Sequence, residues 1–391
     1  MKAAFDDDYS SLGDSVADAP KTKKSKEAAI ADILSSIDDI TPYSTFLSES
    51  KTSSVNEWID TGSMVLNALI SGSLYGGVPR GRVVQFAGPS QTFKTGFILK
   101  ILANAQKQGM TVVIYDTEGA IDADSAAAFG LDTSKVKYIT VQTAENARNS
   151  IYKLLKKVKE HGMEGKFILA IDSLANLNSE MELNRMEKEN TSADMGTFAK
   201  SIKSLLKTCT QMSTLTQTPI LVTNHVYDDP SKMYPSLEQN IAGGKAAIYL
   251  PSVTIQLARK PMESDGGKTT DDSTAASQKK YAGVVIRALT VKNRFVKQYL
   301  EGQMYLSFST GLDKRFGLLE IMKDIGVVTI KGSTYSDWNG NKLGFYKRWR
   351  KDDAVWDVLL PELERRIKID WAYGGRLDEP EVFEDDDEDA E

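Results

Sequence analysis

Eight residues, Gly88, Pro89, Ser90, Gln91, Thr92, Phe93, Lys94 and Thr95, follow the apolar run Val83 to Ala87 and precede the apolar stretch Phe97 to Leu102. This is the strand, loop and helix order in which backbone N–H groups and a helix N-terminus surround the phosphates of a nucleotide. In that setting Lys94 reaches the β and γ oxygens, and the Thr95 hydroxyl ligates Mg²⁺. The loop departs from the motif at Phe93, which stands where the second glycine belongs, so a side chain must fit at that turn. An ordinary βα loop is the plainer reading of the same residues.

The surrounding pattern decides what such a loop is mounted on. Short apolar runs recur at Val83 to Phe86, Val112 to Tyr115, Tyr138 to Val141, Phe167 to Ile171 and Ile220 to Thr223, with helical stretches between them. Runs that are apolar on both faces suit strands of a helix-covered parallel sheet, and Ile151, Leu154, Leu155 and Val158 have the spacing of a crossover helix. The expected class is α/β, a mostly parallel sheet with helices on its faces. Two later runs, Val253 to Leu257 and Val284 to Val291, read as adjacent strands joined by a long polar connection, Asp265 to Lys280. After Gly311 the periodicity turns helical (Leu318, Leu319, Met322), and a turn-rich stretch from Lys331 to Gly344 follows. We expect a mobile N-terminal segment and oligomerisation helix over 1–57, a core over 58–310, a small C-terminal α+β domain over 311–377 and a disordered acidic tail over 378–391. The helix in the first segment is read from Ile30, Ile33, Leu34 and Ile37, which share one face.

Composition narrows the chemistry. One cysteine, Cys209, excludes an intrachain disulfide framework and fits a reducing cytoplasm; two histidines argue against His-rich metal sites. No stretch approaches the roughly 18 uncharged apolar residues of a membrane span, and Asp6, Asp7 and Asp8 open an acidic N-terminus unlike a signal peptide. The net charge of −6 is uneven: ten of the last fourteen residues are acidic, which leaves 48 basic against 44 acidic in the rest, or +4. The acidic tail reads either as a solvated end or as a competitor for polyanions on the body's basic surface.

Two carboxylates stand at strand ends, where open α/β sheets place ligands. Asp172 follows Phe167 to Ile171 and is positioned to hold Mg²⁺ through water opposite Thr95. Glu118 lies just past Val112 to Tyr115 and could orient a water at the γ-phosphate; a helix cap is the competing reading.

With these residues go Thr61, Gly62, Ser63, then Gly76 to Arg82 leading into the loop, Asp116, Thr117, Glu118, then Asp172, Ser173, and Val291, Lys292, Asn293, Arg294. Together, in this order from about Trp58 to Gly344, they resemble the ATPase core of RecA-type recombinases. Phe93 before Lys94 looks most like the phage recombinases of the UvsX type. The resemblance implies a RecA-like P-loop ATPase core and a filament that coats single-stranded DNA, exchanging it into homologous duplex during recombination, repair and recombination-dependent replication. ATP, with Mg²⁺, would sit between neighbouring subunits. Glu118 would orient the attacking water, and Lys292 and Arg294 would reach the next protomer's γ-phosphate as an arginine finger does; on residues alone, the two are charges alternating on an edge strand. Asn224 and His225 fall where the family has its phosphate sensor, with His225 in place of the commoner glutamine; a structural histidine is the competing reading. The resemblance further implies a single-strand-binding protein and a loading mediator as partners, and a cytoplasmic location, the host's if the chain is phage-encoded.

DNA contacts are expected from two loops. Asn178 to Met195 leads into a helix on which Lys200, Lys203 and Lys207 share one face, able to track phosphates or simply solvated. Met195 and Gly196 match the family's residues at the end of that loop, an apolar side chain there being able to wedge between bases. The second loop ends at Gly243, Gly244 and Lys245, where backbone N–H groups and a cation could meet phosphate. Two departures stand out. The family's adenine-stacking aromatic aligns with Ser125, which leaves Asp122 and an unidentified apolar wall, and the second loop opens Val226, Tyr227, Asp228, Asp229 without a basic residue. The stretch Phe345 to Lys351 reads equally as a duplex contact or as core of the small domain. Two other functions compete: a ring helicase on the same core, and a non-hydrolysing scaffold filament.

Overall fold

The structure is a computed structural model, and it describes residues 23–40, 44–50, 55–188, 196–227, 239–263 and 281–374. The chain divides into two units, Met1–Ser53 and Ser54–Glu391. The first contains helix α1 (Lys23–Ile40), on which Ile30, Ile33, Leu34 and Ile37 are exposed.

The second unit opens with β1 (Trp58–Ile59), α2 (Met64–Ser71) and β2 (Val78–Pro79), and continues through β3 (Val83–Ala87), α3 (Lys94–Lys107), β4 (Thr111–Asp116), α4 (Ala123–Ala128) and β5 (Val136–Thr140). Next come α5 (Ala144–Glu160), β6 (Phe167–Asp172), α6 (Glu180–Glu187), α7 (Thr197–Thr216) and β7 (Ile220–Asn224). The short β8 (Val226–Tyr227) and β9 (Asn240–Ile241) pair with each other before α8 (Lys245–Tyr249), β10 (Val253–Glu263), β11 (Tyr281–Asn293), β12 (Glu301–Ser307) and β13 (Gly311–Leu312). The C-terminal part holds α9 (Leu318–Asp324), β14 (Val328–Lys331), β15 (Thr334–Asp337), β16 (Lys342–Gly344), α10 (Tyr346–Trp349) and α11 (Asp353–Asp370).

Nine strands form one sheet in the order β13-β12-β11-β10-β3-β7-β6-β4-β5. The six from β10 to β5 pair in parallel, and β11, β12 and β13 extend that sheet antiparallel. The α/β expectation is borne out, and the five early apolar runs are all strands of the parallel part. Alternation along each strand serves the two faces. Val83, Val113, Tyr115, Leu169, Ile171 and Val222 meet the apolar faces of α5 and α7, through Ile151, Leu155, Ile202 and Leu206. Val84, Phe86, Ile114, Ile168 and Leu221 meet α2 and α3 on the other side, through Leu66, Phe97 and Ile101. Leu318, Met322, Trp356 and Leu363 of the C-terminal part join this second core.

Two expectations change in detail. The first DNA loop, read from Asn178, contains helix α6; Ser179 caps it by accepting the Glu182 N–H at 3.1 Å, and Glu180 and Glu182 suit its first turn. It has no buried residue, so no apolar period announces it. The turn-rich stretch after Lys331 is the antiparallel sheet β14-β15-β16. The connection Asp265 to Lys280, the N-terminal acidic cluster and the acidic tail lie outside the described residues. Among the described residues, no helix is long and apolar enough to cross a membrane.

Candidate active site

The loop 88–93 leaves the C-terminal end of β3 and turns into α3, whose first residues are Lys94 and Thr95. The turn needs a left-handed residue at position 93, with φ 68°, which is the reason the motif ordinarily has glycine there. Phe93 adopts it, and its ring turns onto the core, 5.1 Å from Phe97 and 5.7 Å from Phe129 between centroids. Gly96, one turn along, leaves the space: a Cβ there would lie 2.3 Å from Phe93 Cε2. The aromatic departure is thus absorbed by the helix beneath the loop.

What remains open is a cleft of about 360 Å³, lined by residues 90–96 together with Glu118, Asp172 and His225. Lys94 is only 8% exposed and folds its Nζ back over the loop, donating to the carbonyls of Gly88 and Pro89 at 2.8 Å each. Burial lowers its pKa, opposed by the charges of Asp172 and Glu118. Thr95 donates its hydroxyl to Asp172 Oδ2 at 2.7 Å, and Thr223 of β7 donates to the other oxygen, Oδ1. Burial raises the Asp172 pKa, and the two threonine hydrogen bonds oppose it.

Glu118 enters from the turn after β4. Its Oε1 accepts the Ser173 hydroxyl at 2.8 Å and lies 3.4 Å from His225 Nε2. His225 is set by Asn224, whose buried side chain accepts the His225 N–H at 2.9 Å and donates to the Ala242 carbonyl at 2.9 Å. A lysine at a helix N-terminus, a hydroxyl and a carboxylate side by side, and a second carboxylate across the cleft converge at the C-terminal edge of the parallel strands. Paired oxygens at Thr95 and Asp172 suit a hard divalent cation, and the Lys94 ammonium with the loop N–H groups suits phosphate.

A model of the RecA N-terminal domain matches residues 28–313. The chain belongs to the RecA N-terminal domain family. Among its relatives are the proteins named RecA of Kineococcus radiotolerans, 28% identical over 83% of this chain and 86% of the relative, and of Saccharopolyspora erythraea, 27% identical over 82% and 86%. The RecA of Paenarthrobacter aurescens is 28% identical over 80% of this chain and 83% of its own length.

Family membership does not locate the other candidate residues; the structure does. Lys292, on β11, and Arg294, just past the end of that strand, do not line their own chain's cleft. Lys292 donates its ammonium to the carbonyls of Tyr249 and of Pro251, the latter at 2.6 Å, and so closes the end of α8. Burial, with the neighbouring charge of Arg294, lowers its pKa to about 8. Asp122 caps α4, accepting the Ser125 N–H at 2.8 Å, and borders a separate cavity of about 290 Å³ walled by Ile114, Ile121, Ala126, Leu131 and Val136.

Lys200, Lys203 and Lys207 are all exposed on α7, beyond Gly196, which begins that helix in the left-handed region at φ 76°. Gly243 and Gly244 both have positive φ and lead into Lys245, which is exposed at the start of α8. Met195, Asp228 and Asp229 lie outside the described residues. In the stretch from Phe345, Tyr346 and Trp349 turn inward to an aromatic cluster with Tyr335 and Trp356, while Lys347, Arg348, Arg350 and Lys351 face outward. The aromatic residues Tyr346 and Trp349 are thus core of the small domain.

Sequence reading did not single out Thr223 or Tyr138. Thr223 looks like one more β-branched strand residue; its signal is register, because Ile171 pairs with Val222 and the next residues, Asp172 and Thr223, follow side by side. Tyr138 looks like part of an apolar run, yet its hydroxyl reaches Asp116 at 2.9 Å.

Proposed function

We propose that this chain is a DNA-dependent ATPase that polymerises on single-stranded DNA and catalyses homologous pairing and strand exchange. One observation carries the reading: Lys94, Thr95, Asp172, Glu118 and His225 meet in one cleft, in a chain whose family relatives are named RecA. ATP is the substrate. Its phosphates lie against the loop 88–93 and the N-terminus of α3, and Lys94 exchanges its two carbonyl partners for β and γ oxygens. Thr95 directly, and Asp172 through water, would hold Mg²⁺, whose charge offsets that of the β and γ phosphates when bound.

Glu118 orients the attacking water and takes up its proton as the bond between the γ-phosphorus and the β,γ-bridging oxygen breaks. Ser173 holds one oxygen of Glu118, and His225 beside it senses the γ-phosphate and passes its loss to the strand pair β8–β9 and the second DNA loop. Lys292 and Arg294 lie outside their own cleft, which suits cations lent to the next subunit's γ-phosphate. The DNA path runs along Met195 and Gly196, over Lys200, Lys203 and Lys207, and to Gly243, Gly244 and Lys245. The polypeptide is organised as a polymerising N-terminal segment over 1–57, a catalytic core over 58–310, a small domain over 311–377 and an acidic tail. Phe93 before Lys94 supports kinship with phage recombinases of the UvsX type. It follows that the protein works in a host cytoplasm, in recombination-dependent replication as well as repair, with a single-strand-binding protein and a mediator.

The test is ATP turnover with Mg²⁺, with and without single-stranded DNA, followed by pairing of a labelled strand into homologous duplex. Stimulated turnover that Lys94→Ala abolishes, together with pairing, is the expected result. Turnover without pairing would favour a helicase; no turnover under any condition would leave only a scaffold and overturn the enzymatic reading.

A further inference from the structure

Glu118 sits on a turn with no regular hydrogen bonding of its own, so something else must hold it where its carboxylate can work. Asp116, the last residue of β4, is fully buried. Its Oδ1 accepts the backbone N–H groups of Glu118 and Gly119, at 2.8 Å each. Its Oδ2 accepts the Ile121 N–H at 3.2 Å and the Tyr138 hydroxyl at 2.9 Å. Four donors on one carboxylate wrap the 117–121 turn around a single anion. The other side of the turn is tied to β6, where the Thr117 N–H donates to the Asp172 carbonyl at 2.8 Å and the Ser173 N–H donates to the Thr117 hydroxyl at 2.8 Å.

We propose that Asp116 is a positioning residue for hydrolysis, holding the backbone of Glu118 in its working place, with Tyr138 as the outer brace of the same clamp. The proposal rests on the reading of Glu118 as the residue that orients water. Asp116 does not touch the Glu118 carboxylate and does not line the cleft; it acts only through the Glu118 main chain. A carboxylate suits the site because three of its partners are N–H groups, which can only donate. In Asp116→Asn, one side of the amide points an N–H₂ group at the Ile121 N–H, and two donors cannot satisfy each other, so the turn shifts. A misplacement near 1 Å lowers the rate about 100-fold.

The experiment compares single-stranded-DNA-stimulated ATP hydrolysis in Glu118→Gln, Asp116→Asn, Tyr138→Phe and the double variants Asp116→Asn/Glu118→Gln and Tyr138→Phe/Glu118→Gln, with nucleotide affinity measured separately. Glu118→Gln is read first: full activity there defeats the underlying assignment of Glu118, whatever Asp116 does. Given a slow Glu118→Gln, Asp116→Asn should lower kcat by about 10- to 100-fold with KM and nucleotide affinity within about twofold, since Lys94 and its loop belong to β3 and α3. The double variant Asp116→Asn/Glu118→Gln should be no slower than Glu118→Gln alone. Tyr138 is 43% exposed, so Tyr138→Phe tests the clamp without disturbing the core, and it should lower kcat about threefold, again without effect in the Glu118→Gln background. A wild-type kcat in Asp116→Asn, or equal factors in both backgrounds, would overturn the proposal. Should Asp116→Asn not fold, Tyr138→Phe decides by the same two criteria.

Discussion

Adding one methyl group at Gly96 tests how this chain tolerates an aromatic residue in its phosphate loop. The alanine Cβ would lie 2.3 Å from Cε2 and 2.4 Å from Cζ of Phe93, so the ring must move. Overpacking of this kind destabilises by about 1–3 kcal/mol. Replacing a helical glycine by alanine returns about 1 kcal/mol through backbone entropy. The net expectation for Gly96→Ala is a loss of about 1 kcal/mol, the difference between those two effects. In a Phe93→Gly background the ring is gone, only the helix term remains, and the same substitution should stabilise by about 1 kcal/mol. The coupling between the two positions is therefore about 2 kcal/mol, well beyond the scatter of independent sites. Urea unfolding of the four proteins in the absence of nucleotide, with midpoints compared at a common slope, measures it. An equal effect of Gly96→Ala in both backgrounds would refute the placement of the ring over Gly96 and return Phe93 to the phosphate cradle as an obstruction.

Two further predictions concern charge. Lys292 has its pKa lowered to about 8, so its ammonium is present below that pH and is lost above it. That value belongs to the ammonium held on the carbonyls at the end of α8, and the unfolded chain binds the proton more tightly, so stability should rise as pH goes from about 8 to 10.5; Lys292→Met should flatten that rise in thermal unfolding, and parallel profiles would exclude Lys292 as the titrating group. On α11, the Arg365 and Arg366 guanidinium groups hold the Glu362 carboxyl down at about 2, against an ordinary value of 4.5. A depressed carboxylate stabilises above the unfolded-state value and loses that contribution as pH falls from 4.5 through about 2. Glu362→Gln should thus cost on the order of 1 kcal/mol at pH 7, Arg365 being half-exposed and screened, and nothing near pH 2; an equal loss at both pH values would assign the effect to packing.

Much of the architecture was readable because of how parallel sheets bury their strands. β3, β4, β6 and β7 are covered on both faces, so each appears as a nearly continuous apolar run, interrupted in β3 only by the buried Gln85, and their order with intervening helices dictates the class. The same physics hides direction: Val253 to Leu257 and Val284 to Val291 read as strands, but nothing in them says that β11 and its successors run antiparallel to the rest. Helix α6 escaped because it buries nothing.

At the site, Lys94, Thr95, Asp172 and Glu118 were legible because each follows an apolar run at a strand end or opens a helix. The conformation of Phe93 was not, since accepting φ 68° depends on Gly96 and Phe129, residues that the local motif does not include. Nor was the carboxylate of Asp116 legible as a clamp. Its four donors come from a turn and from Tyr138 on a neighbouring strand, and only the parallel register Ile114 to Tyr138 brings the latter within reach. Lys292 shows the same limit: its position on β11 follows from alternation, but its grip on the α8 carbonyls is a tertiary contact.

The central claim is that the loop after β3 grips a triphosphate and that a second copy of the chain completes the site. Electron cryomicroscopy of the protein with single-stranded DNA, Mg²⁺ and a slowly hydrolysed ATP analogue tests it most directly. The account predicts a helical filament with nucleotide at each subunit boundary, Lys94 of one protomer and Lys292 and Arg294 of its neighbour on the same γ-phosphate. Nucleotide bound with both of those cations still turned toward their own chain, or closed rings in place of a helix, would contradict it.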